Sequence, residues 1–134
     1  METVSDLVTR IKNGYTRLKE NFEMPAAKLS IEVARVLCEE GFLQKYEVVS
    51  RGKKRYLRVT LKYALDKYGR PNRSVISGIK KISRSGLRTY VSSDKIPTVQ
   101  EGFGSAIIST PLGVVPDEVA RQKKVGGEVL VYVW

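Results

Sequence analysis

No histidine occurs anywhere in the 134 residues. Histidine is the commonest general base near neutral pH and the commonest metal ligand, so its absence removes the usual routes to acid–base and metal chemistry. There is one cysteine, Cys38. A lone thiol cannot close an internal disulfide or build a cysteine zinc site, and it fits a reducing cytoplasm. No apolar run approaches the roughly 20 residues a helix needs to cross a bilayer. Residues Met1 to Arg10 carry two acids before their first base and contain no apolar block, which predicts no secretory signal.

What the chain does have is positive charge, unevenly placed. Lys and Arg number 24 against 14 Asp and Glu, a formal net charge of +10. From Arg51 to Arg88 there are thirteen bases and one acid, Asp66, so this tract is +12 and the remainder is −2. A concentrated positive field attracts polyanions and speeds their capture. A membrane surface would call for a basic amphipathic helix. Here the bases fall on strand-like and turn-like sequence, which favours nucleic acid and argues against a membrane partner.

Val4, Leu7, Val8, Ile11, Tyr15 and Leu18 recur at helical spacing, with Thr3 or Ser5 as candidate caps. Gly14 weakens that helix and marks a close approach or a fraying end. Met24-Pro25 interrupts the pattern. A second helix carries Leu29, Val33, Val36 and Leu37 on one face, and Gly41 suits the left-handed position beyond its end. The period then changes to two. Phe42 to Val48 and Tyr56 to Leu61 read as strands around a turn at Ser50 to Lys53. Tyr68 to Asn72 reads as a loop and divides the chain into lobes 1–67 and 68–134. Beyond it, Val75 to Ile82, Thr89 to Val91, Phe103 to Ser109 and Glu128 to Val133 are candidate strands, and Asp117 to Lys124 a short helix. The fold class is α+β: two small packed lobes, the first holding most of the helix and the second rich in strand.

Little here supports catalysis, and no catalytic residue, metal ligand or cofactor is expected. Cys38 follows Leu37 on a helix and reads as a packed, inert thiol. Gly102-Phe103-Gly104 lacks the Gly-Lys-Ser/Thr of a phosphate loop and the third glycine of a dinucleotide motif. Two segments stand out instead. Ser109-Thr110-Pro111-Leu112-Gly113 places two hydroxyls and a turn directly after an apolar strand, and hydroxyls suit base edges and the ribose 2′-OH. Val125-Gly126-Gly127-Glu128 offers a backbone that a ligand can approach closely, beside a carboxylate. A carboxylate repels phosphates, so any RNA role for Glu128 is base or sugar reading. From the residues alone, ordinary turn chemistry is the favoured reading of both segments.

These segments resemble the small-subunit ribosomal protein S-eight family. Ser109 to Val114, Ala120-Arg121 and Gly126-Gly127-Glu128 are similar to its C-terminal signature. Leu7 to Gly14, Pro25 with Lys28-Leu29, Glu39 to Phe42, Leu61 to Tyr63, Ile82 to Tyr90 and Gly102 to Gly104 are similar in order and spacing. The resemblance therefore spans nearly the whole chain. It implies an RNA-binding constituent of the small ribosomal subunit, in the cytoplasm, that binds the central domain of the subunit's RNA early in assembly. It also implies neighbouring ribosomal proteins as partners and, in some members, the protein's own operon message.

By that match Ser109 and Thr110 contact RNA bases and sugars, framed by Tyr90, Gly126, Gly127 and Glu128. Arg84, Arg88, Lys28 and the hairpin-tip pair Lys53 and Lys54 are the candidate cations around them. Two positions depart from the pattern. Pro111 stands where a serine is frequent, which removes a hydroxyl and an N–H, and Pro116 stands where a threonine often caps the short helix. The other readings are a free RNA chaperone or message-binding regulator, and a nuclease or modifying enzyme.

Overall fold

The protein is described by a computed structural model covering residues 2–134. Helix α1 runs from Glu2 to Thr16 and buries Val4, Leu7, Val8 and Ile11 along one stripe. Thr3 and Ser5 lie inside it rather than capping it. A Cβ on Gly14 would stand 2.7 Å from Leu61 Cδ1, so this glycine marks a close approach. Where the sequence showed only an interruption, there is a short strand, β1 (Asn21–Pro25), with Phe22 and Met24 turned inward. Five residues give too few alternations to read, and a proline is tolerated at the end of an edge strand.

Helix α2 (Lys28–Glu39) buries Ser30, Val33, Ala34, Val36 and Leu37. It ends as expected: Gly41 takes φ 84°, and the Phe42 N–H donates to Leu37 O at 2.8 Å. Strands β2 (Leu43–Arg51) and β3 (Lys54–Leu61) form a hairpin, with Gly52 at φ 65° in the turn. With β1 they make an antiparallel sheet in the order β1-β3-β2. Leu57, Val59 and Leu61 face the helices, as their alternation requires.

A two-stranded hairpin, β4 (Tyr63–Leu65) and β5 (Pro71–Ser74), lies across the stretch expected to divide the lobes. The segment after it is not the long strand anticipated for Val75 to Ile82; only β6 (Ile79–Lys81) is paired. The reason is the C-terminal residue. Ser77 and Gly78 donate their N–H groups to Trp134 O, and a Cβ on Gly78 would lie 2.3 Å from the Trp134 ring. The chain bends around Trp134 before it can pair. Strands β7 (Tyr90–Val91), β8 (Ser105–Thr110) and β9 (Gly113–Pro116) follow, then helix α3 (Asp117–Lys123) and strand β10 (Gly127–Val133). Strand β8 begins two residues later than expected, because Phe103 points to solvent.

The second sheet has the order β6-β10-β8-β9, with β7 joining the opposite end of β10 from β6. One face, through Ile107, Leu130, Val131 and Val133, enters the same apolar cluster as Leu7, Ile11, Val33, Leu37 and Leu57 of the N-terminal lobe. The other face, through Ala106, Ile108 and Val129, packs with Ala120 of α3 and with Val99. Cys38 packs against the shared cluster, and burial pushes its thiol up to about 11, so it stays protonated near neutrality.

Because one core serves both lobes, they are expected to unfold together. Removing side-chain volume from Ile107 should cost about 2–5 kcal/mol as alanine. The helical circular-dichroism signal and the fluorescence of Trp134 should then shift to lower temperature by the same amount. Two transitions, with the helical signal left at its original midpoint, would contradict a shared core.

Candidate nucleic-acid interface

Strand β10 organises the candidate site. Its residue Glu128 pairs with Tyr90 of β7 on one side and with Ser109 of β8 on the other. Directly paired residues point to the same side of a sheet, so Tyr90, Glu128 and Ser109 form one row. Ser109 lies two residues from Ile107 and is paired to Val114, and both of those sit in the shared core. The row is thus the outward continuation of the buried face. Tyr90 is 69% exposed, while the Glu128 side chain is only 18% exposed.

Arg88 holds Glu128 at 3.3 Å. Arg88 is placed by a tight turn in which Arg84 and Leu87 exchange backbone hydrogen bonds at 3.0 Å. Behind the turn is Ser83, fully buried. Its hydroxyl accepts the Thr89 N–H at 2.9 Å. No local pattern marks Ser83 in the sequence, because its role depends on a partner six residues away. The turn leaves Arg84 exposed next to the row.

Thr110 behaves differently from its neighbour. Its hydroxyl donates to Gly113 O at 2.8 Å and accepts the Leu112 N–H at 3.1 Å. This is turn chemistry, and it leaves one lone pair for a ligand. Pro111 sits within the turn, between Thr110 and Leu112. Gly113 takes φ 116°, with open space where a Cβ would be. The glycine pair is also spent internally. A Cβ on Gly126 would lie 2.3 Å from Val91 O, and one on Gly127 would lie 2.1 Å from Ser109 O. Both glycines let β10 press against its neighbouring chains rather than leaving room for a ligand.

The N-terminal lobe brings cations to the same end. Lys28, at the start of α2, lines a hollow of about 320 Å³ with Leu29, Glu32, Ser109, Gly113 and Val114. Arg35 ties the lobes here, donating to Val114 O at 2.8 Å while paired to Glu32 and Glu39. Just ahead of α2, the Ala26 N–H donates to Arg55 O. The turn end of the β2–β3 hairpin, where Arg55 pairs with Ser50, therefore lies beside the start of α2, and the adjoining turn carries Lys53 and Lys54. Lys28, Lys53, Lys54, Arg55 and Arg84 form no ion pair among the described residues.

Not all of the basic tract is available in this way. Arg51 and Arg58 both bind Glu23, and Arg58 also reaches Glu47. Hydrogen bonds from the two guanidinium groups hold the Glu23 carboxyl down at about 2. Arg70 is paired to Asp66. The Glu23 contacts link residues 28 and 35 positions apart, which the local charge count could not reveal.

The family profile described as Ribosomal protein S8 matches residues 2–134. The chain belongs to this family. Relatives named "Small ribosomal subunit protein uS8" include those of Alkaliphilus oremlandii, 44% identical, and Limosilactobacillus reuteri, 48% identical. A third, from Halalkalibacterium halodurans, is 45% identical. Each alignment covers 99% of this chain and 97% of the relative. Both departures from the family pattern are accommodated. Pro116 precedes α3 without a side-chain cap bond. The helix is anchored by Asp117, which accepts the Ala106 N–H at 3.2 Å and pairs with Arg121 at 2.7 Å.

The packing of Gly127 leads to a direct test. Gly127→Ala drives a methyl group into the β8 backbone and should cost about 3 kcal/mol of stability. Thermal unfolding of the variant and the parent, followed side by side, measures that loss. A variant as stable as the parent would show that the glycine is not a packing requirement.

Proposed function

We propose that this protein is a structural constituent of the small ribosomal subunit and a primary binder of its RNA. Its target is a helical region in the central domain of that RNA, and binding there supports subunit assembly. The observation that carries this reading is the convergence of two kinds of group at one end of the molecule. Ser109, Glu128 and Tyr90 form a row suited to bases and sugars, and cations from both lobes surround it. Phosphate contacts supply affinity without sequence information, whereas groups at base edges and 2′-OH positions supply selectivity.

In this reading Lys28, Lys53, Lys54, Arg84 and Arg88 meet phosphates. Ser109 offers a hydroxyl, Tyr90 a ring for stacking, and Glu128 an acceptor for an exocyclic amine or 2′-OH. Thr110 mainly shapes its turn and offers its remaining lone pair. Gly126 and Gly127 set the position of Glu128. Besides meeting phosphate, Arg88 neutralises Glu128 at the approach of RNA and holds the carboxylate in place. No step of this function requires catalysis, and we assign none to the chain.

The two classes of group should separate in a titration against cognate and scrambled RNA at several salt concentrations. Replacing Lys53 and Lys54 together with Gln should weaken binding to both RNAs and reduce the salt slope by about 0.7 to 0.9 per lost phosphate contact. Glu128→Ala should leave the salt slope nearly unchanged and cost about 1–3 kcal/mol on cognate RNA alone. Removing an anion from a basic protein should, on charge alone, tighten RNA binding. Tighter binding of cognate RNA by Glu128→Ala would therefore overturn the recognition role.

A further inference from the structure

The RNA-facing groups lie where α2 begins. At 12 residues, α2 spans about 18 Å, and its other end has a different character. There Ser105 Oγ donates to Glu40 at 3.2 Å. Two hollows of about 530 and 550 Å³ adjoin at this end, sharing Phe42 and Phe103. Val75 and Trp134 complete an apolar wall. Phe103 is 88% exposed, more than any other large apolar side chain among the described residues. It follows Gln100, Glu101 and Gly102, with φ of 49°, 55° and 96°. Two non-glycine residues in the left-handed region are costly, and this turn presents the ring to solvent.

The charges around the groove are the reverse of those at the RNA end. Glu40, Glu101 and Glu118 line it and form no ion pair among the described residues. The one cation lining it, Arg121, is held by Asp117, Pro97 O and Thr98. A chain of net charge +10 thus keeps an acidic, aromatic groove at the pole away from its RNA site. Phosphate is repelled there. An arginine or lysine gains twice: from a carboxylate and from the face of an exposed ring.

We infer that this groove is a docking site for a basic, lysine- or arginine-rich segment of another protein. The segment lies extended across Phe103, Phe42 and Trp134, with its cations on Glu40, Glu101 and Glu118. The inference rests on the ribosomal reading above for one point only: assembly on RNA sets basic protein segments beside this one. It adds a division of the surface, one pole for RNA and the other for protein.

The test puts a photo-crosslinking benzoylphenylalanine at Phe103 in the full chain, in living cells. The exposure of Phe103 means the replacement leaves the core intact. Adducts are identified by mass spectrometry, and RNA affinity is titrated separately. The expected adduct is to a lysine- or arginine-rich protein segment. Adding Glu40→Gln, Glu101→Gln and Glu118→Gln together should lower its yield roughly threefold to tenfold, without weakening the binding of RNA. An adduct to RNA, to a second copy of this chain or to an acidic or uncharged segment would overturn the inference. So would the absence of any adduct, or a yield unaffected by the three substitutions. A basic adduct formed outside small subunits would leave the docking site standing and remove the ribosomal reading instead.

Discussion

Burial of one face of the C-terminal sheet against α1 and α2 positions almost everything else. Ile107, Leu130, Val131 and Val133 meet Leu7, Ile11, Val33 and Leu37 in a single cluster. Non-directional apolar burial is the main favourable term in folding, and here it also sets the geometry of the proposed RNA site. The same strands that enter the cluster continue outward as Ser109 and Glu128. The same helix that covers them begins with Lys28. Moving the lobes relative to one another would separate the cations of the first from the polar row of the second. The Arg35 bond to Val114 O reinforces that register, but the apolar interface makes it.

Electrostatics is organised on top of this frame. The tract from Arg51 to Arg88 is strongly basic in sequence, yet Arg51 and Arg58 stabilise the first sheet through Glu23. Within that tract Lys53, Lys54 and Arg55 at the hairpin tip and Arg84 in its turn form no ion pair among the described residues, and Lys28 at the start of α2 adds to them. Partly buried acids, Glu23 and Glu128, each answer a neighbouring arginine. Three acids without an ion pair among the described residues, Glu40, Glu101 and Glu118, line the groove at the far end, around Phe103. The molecule is therefore polarised, and net charge alone conceals this.

Long periodic segments were legible in the sequence. The stripe from Val4 to Ile11, the helical face from Val33 to Leu37 and the alternation at Leu57, Val59 and Leu61 all bury as their spacing requires. Short elements were not. Strand β1 has five residues and is held by β3, distant in sequence, while β9 has four and pairs with β8 just before it. The segment from Val75 to Gly78 has strand-like composition, but it yields to the Trp134 carbonyl and ring. At the site, the residue types were readable and their assignments were not. Gly126 and Gly127 suggested room for a ligand and instead accommodate Val91 and Ser109. The Thr110 hydroxyl closes a turn, and Ser83 carried no local signal. The glycine roles arise from contacts with segments distant in sequence, which no local window contains, whereas the Thr110 turn is local.

The central claim is that one end of this molecule recognises a defined helical element of small-subunit RNA. The most direct measurement is a hydroxyl-radical footprint of the purified protein on the full-length RNA, at a salt concentration that suppresses non-specific binding. The account predicts protection confined to a helical region of the central domain, lost when Ser109 and Glu128 are both replaced by Ala. Diffuse protection across the RNA, or a footprint unchanged by those substitutions, would contradict it.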